Sequence, residues 1–225
     1  MNVLTAYPGG LGPHPAVLVL HHRGGLDTFT RYVLERLAGI GLVAAAPNNY
    51  HRRPPGEDPV ASMKHLLDRE LVTDMNATIA DLVTNPRVRA DRIGMVGHCL
   101  GGRTGYLALG TDPVYRAGVL LYHGDLFAAR DPVMPPPIAL TDHIRCPIAG
   151  FFGDRDTNPS PEAVARLEVE LQRYGIHYEF HRYEEAGHAF QDFTSPSNYV
   201  ESAARDAWVK LLDFLRRMLI DGPAA

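Results

Sequence analysis

Cysteine is scarce in this chain. Cys99 and Cys146 are the only two among 225 residues. Two cysteines build no disulfide framework, and a chain of this length buries a core without covalent staples. A lone thiol with His and Asp elsewhere in the sequence reads instead as a nucleophile candidate. Charge of neither sign is in excess: 22 Lys+Arg face 26 Asp+Glu, a formal net charge of −4. No basic cluster tracks a phosphate backbone, so a nucleic-acid partner gains no support. No apolar run approaches the roughly 20 residues that a bilayer-spanning helix needs. Met1 to Gly10 shows no positive patch followed by an apolar stretch, which predicts a cytoplasmic rather than a secreted protein. His-Glu-x-x-His, paired Cys-x-x-Cys, Gly-x-Gly-x-x-Gly and the Walker pattern are all missing, so neither a metal nor a nucleotide cofactor is expected.

What is present is ordinary globular material: 45% hydrophobic and 21% charged residues. At about 150 residues per domain, the length favours one large α/β domain over residues 1–225. Six short apolar runs read as strands: Ala16 to His21, Leu42 to Ala46, Ile93 to His98, Ala117 to Tyr122, Ile148 to Phe152 and Tyr178 to Tyr183. Continuous apolar strands imply a sheet covered on both faces. Helical periodicity fills the gaps, over Thr28 to Leu37, about Asp58 to Val83, Leu100 to Leu109, Pro161 to Tyr174 and Ser202 to Leu219. The alternation predicts a doubly wound, mostly parallel sheet with right-handed crossovers. Pro47 to Pro59 and Asp125 to Arg145 read as loops, the second because Pro135-Pro136-Pro137 cannot lie inside a helix. The tail from Asp221 to Ala225 is expected to fray.

The central motif is Gly97-His98-Cys99-Leu100-Gly101-Gly102, at a predicted strand-to-helix junction. Small residues two before and two after Cys99 permit a sharp, strained turn that projects the thiol at the carboxyl end of the sheet. The helix N-terminus beneath it favours the thiolate. Cys146, ahead of the fifth strand, reads as a small buried apolar residue.

In a strand–turn–helix site of this kind the acid and base follow the nucleophile in chain order. After the fifth strand the sequence runs Gly153-Asp154-Arg155-Asp156. Both aspartates are candidates, and spacing from the glycine favours Asp156. After the sixth strand comes Gly187-His188-Ala189-Phe190, where the glycine allows a turn that swings His188 over the sheet end.

These residues resemble the dienelactone hydrolases (carboxymethylenebutenolidases). Cys within Gly-x-Cys-x-Gly-Gly carries the resemblance, together with Gly153-Asp154-Arg155-Asp156 and Gly187-His188-Ala189-Phe190. Ser195-Pro196, Tyr199, Ala203-Ala204-Arg205-Asp206-Ala207-Trp208 and Leu212-Asp213-Phe214-Leu215 extend it to the C-terminal segment. The resemblance implies the α/β-hydrolase fold and hydrolysis of a small-molecule ester or lactone through an acyl-Cys99 intermediate, by a monomer or homodimer. His188 is then the proton shuttle, Asp156 orients it, and the oxyanion rests on the backbone N–H groups of Leu100 and Arg23.

Two positions depart from the family pattern. Where the family places a thiol-contacting Glu, this chain has His22, which either stabilises the thiolate as an imidazolium or lines the pocket. Where the family places a carboxylate-binding Arg shortly after the catalytic His, this chain has Gln191 and Asp192. Arg52, Arg53 and Arg103 remain as anion partners for the substrate, although Arg103 reads equally as a solvated helix position. Tyr122 and His123, at the end of the fourth strand, are expected to form a pocket wall. The alternatives are a ligand-binding protein that keeps the fold without catalysis, and a broad esterase or thioesterase.

Overall fold

The computed structural model describes residues 1–222, so the last residues of the expected frayed tail lie outside the described part. Seven strands form one sheet: β1 (Val3–Ala6), β2 (His14–Leu20), β3 (Val43–Pro47), β4 (Val88–His98), β5 (Tyr115–Leu121), β6 (Ile148–Gly153) and β7 (Tyr178–Tyr183). Their order across the sheet is β1-β3-β2-β4-β5-β6-β7. Every neighbouring pair is parallel except β1–β3. The sheet is therefore the doubly wound α/β architecture that the apolar runs predict.

Alternation along the strands divides the core. Val17 and Val19 of β2 face the layer built by α1 (Thr28–Gly39) and α6 (Glu201–Leu215), with Phe29, Leu37, Trp208 and Phe214. Leu18 and Leu20 face the opposite layer of α3 (Asp68–Thr84), α4 (Leu100–Thr111) and α5 (Pro161–Arg173), with Met75, Leu107 and Leu167. Both faces are thus buried, which is why these strands read as unbroken apolar runs. Local signals set the helix starts. The Asp27 carboxylate accepts from the Thr30 N–H at the head of α1, and Ser160 caps α5 ahead of Pro161.

Three expectations are corrected. β1 is an addition to the expected strands, because four residues, three half-buried and one exposed, carry too little pattern. The helix expected from about Asp58 to Val83 is two helices, α2 (Pro59–Lys64) and α3, separated where Leu67 turns extended. The break carries Asp68 into the interior. The C-terminal helix ends at Leu215 and continues as a wider π turn over Arg216–Ile220, which leaves Leu219 fully buried. Within the loop Asp125 to Arg145, a short 3-10 turn starts at Pro137, where a missing N–H has no cost.

The break before α3 serves a buried ion pair. Arg103 of α4 and Asp68 of α3 are each 0% exposed. Arg103 Nη1 and Nη2 donate to the two Asp68 oxygens at 2.5 and 2.9 Å. The remaining donors reach the Asp125 and Ala128 carbonyls at 2.9 Å each. Removing one partner strands a charge in a dry site. Asp68→Ala is expected to lower the unfolding free energy in urea by about 3–5 kcal/mol. A loss under about 1 kcal/mol would show that solvent reaches the guanidinium.

Candidate active site

The carboxyl end of β4 runs directly into α4, and Cys99 sits at the junction with φ 56° and ψ −116°, in left-handed backbone space. Two glycines make this geometry attainable. A Cβ on Gly97 would collide with the Gly101 carbonyl, and one on Gly101 would collide with the Leu20 carbonyl at the end of β2. The helix therefore packs against the sheet more closely than any side chain allows. The turn leaves Cys99 partly exposed, with the Leu100 N–H directed at its sulfur.

Cys99 Sγ lies 3.0 Å from His188 Nε2, and His188 Nδ1 lies 2.9 Å from Asp156 Oδ2. The other Asp156 oxygen accepts the Asn158 N–H at 2.8 Å, so the carboxylate is fixed at both ends. Acid and base loops are laced together by backbone: Asp154 N–H donates to the Tyr183 carbonyl and Arg155 N–H to the Ala186 carbonyl, at 2.9 Å each. A Cβ on Gly153 would strike the Ala186 carbonyl, so this lacing also needs glycine. Asp154, the second acid candidate, points away and pairs with Arg182 at 2.6 Å.

The electrostatics favour an ion pair. Burial works against the charged imidazole of His188. The hydrogen bonds to Asp156 and Cys99 outweigh it and hold the pKa up to about 10. Burial likewise opposes the Cys99 thiolate, yet His188, the Leu100 N–H and the charge of His22 bring its pKa below the ordinary thiol value. Both shifts favour the thiolate–imidazolium form of the resting pair.

His22 does not touch the sulfur. Its Nε2 is 2.7 Å from Asp27 and its Nδ1 is 3.7 Å from Asp192. Burial opposes its charge, but the two carboxylates raise its pKa and so favour the imidazolium. The Tyr122 ring meets the His188 ring edge-on at 5.4 Å, with its hydroxyl buried and unpartnered. His123 is fully buried, with Nδ1 donating to the Gly124 carbonyl at 2.7 Å. Burial lowers its pKa to about 4, so it is neutral. Arg23 is exposed, on the loop after β2, and its carbonyl accepts from the Tyr50 hydroxyl at 3.0 Å.

The three arginines singled out as anion partners are otherwise engaged. Arg52 pairs with Asp74 at 2.5 Å and Arg53 with Glu70 at 2.7 Å, both on α3. Arg103 is neither solvated nor free, since the buried pair with Asp68 and two carbonyls take its donors. Nothing in the residue pattern marks Tyr50, Met63 and Leu66 as neighbours of Cys99. With Leu71 and Leu100 they form an apolar patch against Cys99, drawn from the loop after β3, from α2 and from the break before α3.

The dienelactone hydrolase family model matches residues 1–219. The chain belongs to the dienelactone hydrolase family. A Synechocystis sp. protein named "Putative carboxymethylenebutenolidase" is 32% identical over 216 residues, covering 92% of this chain and 87% of that protein. A Bradyrhizobium sp. protein named "Probable 2-oxo-3-(5-oxofuran-2-ylidene)propanoate lactonase" is 30% identical over 217 residues, covering 94% and 87%. The crystal structure titled "Putative Dienelactone Hydrolase" from Klebsiella pneumoniae superposes with a TM-score of 0.86 at 25% identity, covering 96% of this chain and 92% of that one. The family's α/β-hydrolase fold is thus the fold of this chain.

Iodoacetamide labelling of Cys99 against pH reads the ion pair directly. The midpoint is expected below the ordinary thiol value of about 8.5. In His188→Ala, burial acts with little opposition and the midpoint should rise above that value. An unshifted midpoint would mean that the imidazole does not hold the thiolate.

Proposed function

We propose that this chain hydrolyses small-molecule lactones or esters through an acyl-Cys99 intermediate. The observation that carries the reading is the continuous contact from Cys99 through His188 to Asp156, at the crest of a glycine-enforced turn. Membership of the family supports the bond type.

The thiolate of Cys99 attacks the substrate carbonyl carbon. The carbonyl oxygen takes the negative charge and is received by the N–H groups of Leu100 and Arg23. As the carbonyl re-forms, the C–O bond to the leaving oxygen breaks and His188 Nε2–H protonates that oxygen. A lactone keeps its new hydroxyl tethered to the acyl group, whereas an ester releases an alcohol. His188, now neutral, removes a proton from water, which attacks the thioester. The thiolate leaves as the acid forms, and His188 retains the proton that restores the imidazolium. Asp156 holds the ring in place throughout. An amide is a poor substrate, because the thiolate leaves the tetrahedral intermediate more readily than an amine does.

His22 acts through the field rather than by contact. Its two carboxylate neighbours raise its pKa, and its positive charge favours the Cys99 thiolate. It stands where the family pattern has an acid. The patch of Tyr50, Met63 and Leu66 offers the substrate an apolar seat beside the sulfur.

Stopped-flow turnover of p-nitrophenyl acetate tests the intermediate. A burst stoichiometric with enzyme is expected, and Cys99→Ala should abolish it. A parent protein with no turnover would support a binding role for the fold. Cys99→Ser should lower kcat/KM by about a hundredfold or more, because a hydroxyl at this site is far harder to ionise. His22→Ala is expected to move the alkylation midpoint of Cys99 upward, and an unmoved profile would remove His22 from the activation scheme.

A further inference from the structure

A second cleft, about 240 Å³ in volume, opens between α1, α6 and the segment that joins β7 to α6. None of Cys99, His188 and Asp156 is among its walls, which are aromatic instead. Tyr32 of α1 meets Phe193 edge-on at 5.0 Å and Trp208 of α6 at 5.9 Å, and Tyr199 adds a fourth ring. Phe193 and Tyr199 are 40% and 38% exposed, so these rings line an opening and do not fill a core.

Two polar groups in the cleft lack the partner that their chemistry calls for. Gln191, on the segment after β7, is 1% exposed. Its Oε1 accepts from His98 Nε2 at 2.9 Å, while its Nε2 is buried with no hydrogen-bond partner. An enclosed amide N–H without an acceptor is unfavourable, and an oxygen brought into the cleft relieves it. Arg36 supplies charge. Its guanidinium stands over the Trp208 ring, 4.7 Å from the centroid, and donates to the Tyr32 hydroxyl at 2.8 Å. Among the described residues no carboxylate pairs with it. The other two charged walls, Glu201 and Arg205, neutralise each other at 2.8 Å. The cleft is thus an aromatic slot with one unmatched positive charge and one unspent buried donor.

We propose that this cleft is a second ligand site, separate from Cys99, which takes a small aromatic carboxylate. The ring packs against Tyr32, Phe193 and Trp208, and Arg36 and the Gln191 N–H supply donors to the oxygens. An apolar cavity of about 150 Å³ holds a benzene, so this one admits a single substituted ring. The site uses no residue of the acyl-Cys99 scheme and stands independently of it.

Trp208 is the sole tryptophan of the chain, so its fluorescence reports on this cleft. Titration with benzoate is expected to give a saturable change, and the same change after Cys99 has been blocked with iodoacetamide. Benzyl alcohol, similar in shape but uncharged, should bind about tenfold more weakly, and added salt should narrow the difference. Arg36→Gln should raise the benzoate dissociation constant about tenfold or more, and Arg36→Lys should recover part of the loss. Gln191→Met should weaken both ligands, because either one can use the buried donor. If that variant fails to fold, Arg36→Gln decides alone. A strictly linear, collisional quench in the wild type overturns the proposal. So does an unchanged dissociation constant in either folded variant, or saturation that vanishes once Cys99 is blocked. Burst kinetics at Cys99 bear on none of these outcomes, so the failure of one reading is distinguishable from the failure of the other.

Discussion

The first turn of α4 lies so close to the ends of β2 and β4 that only hydrogen fits at Gly97 and Gly101. Three features follow from that contact. Cys99 is held in left-handed backbone space, the Leu100 N–H points at its sulfur, and the Cys99 carbonyl is turned to receive Gly102, Arg103 and Gly124. One strained turn thus places the thiol, the Leu100 N–H beside it, and the start of the neighbouring loop. A looser turn would move all three together.

Around that turn, charges of opposite sign are layered. Asp156 stands behind His188, and Asp27 and Asp192 flank His22. The carboxylates raise the pKa of both imidazoles and so favour their charged form, which in turn favours the thiolate. Burial opposes each charged group separately, yet the group is favourable because each charge has a neighbour of opposite sign within a few ångströms. His98 and His123 show the contrast. They are more deeply buried and lack a carboxylate partner, and burial leaves them neutral.

Much of the fold is visible in the sequence because local rules agree with the global result. Val17 to Leu20 is unbroken because both faces of β2 are covered, and glycines mark the turns at Cys99, Asp156 and His188. Long-range pairing is not visible in the same way. Arg103, in a glycine-rich helix, reads as solvated until Asp68 arrives from 35 positions earlier in the chain. The break that frees Asp68 is hidden because Leu66, Leu67 and Leu71 keep helical spacing across it. The apolar patch against Cys99 likewise gathers residues from separate segments of the chain. For that reason the surroundings of Cys99 are less legible than Cys99 itself.

The hydrogen bonds that lace the loop after β6 to the loop after β7 divide the rim of the molecule in two. On that side an inserted residue in either loop would pull acid and base out of register with the sulfur, so length there is rigidly constrained. The loops after β2 and β3 meet through side chains instead, the Tyr50 hydroxyl donating to the Arg23 carbonyl and the Asn49 N–H to His21 Nε2. Such a molecule can exchange one clientele for another by remodelling one bank of the cleft while the opposite bank keeps the chemistry intact.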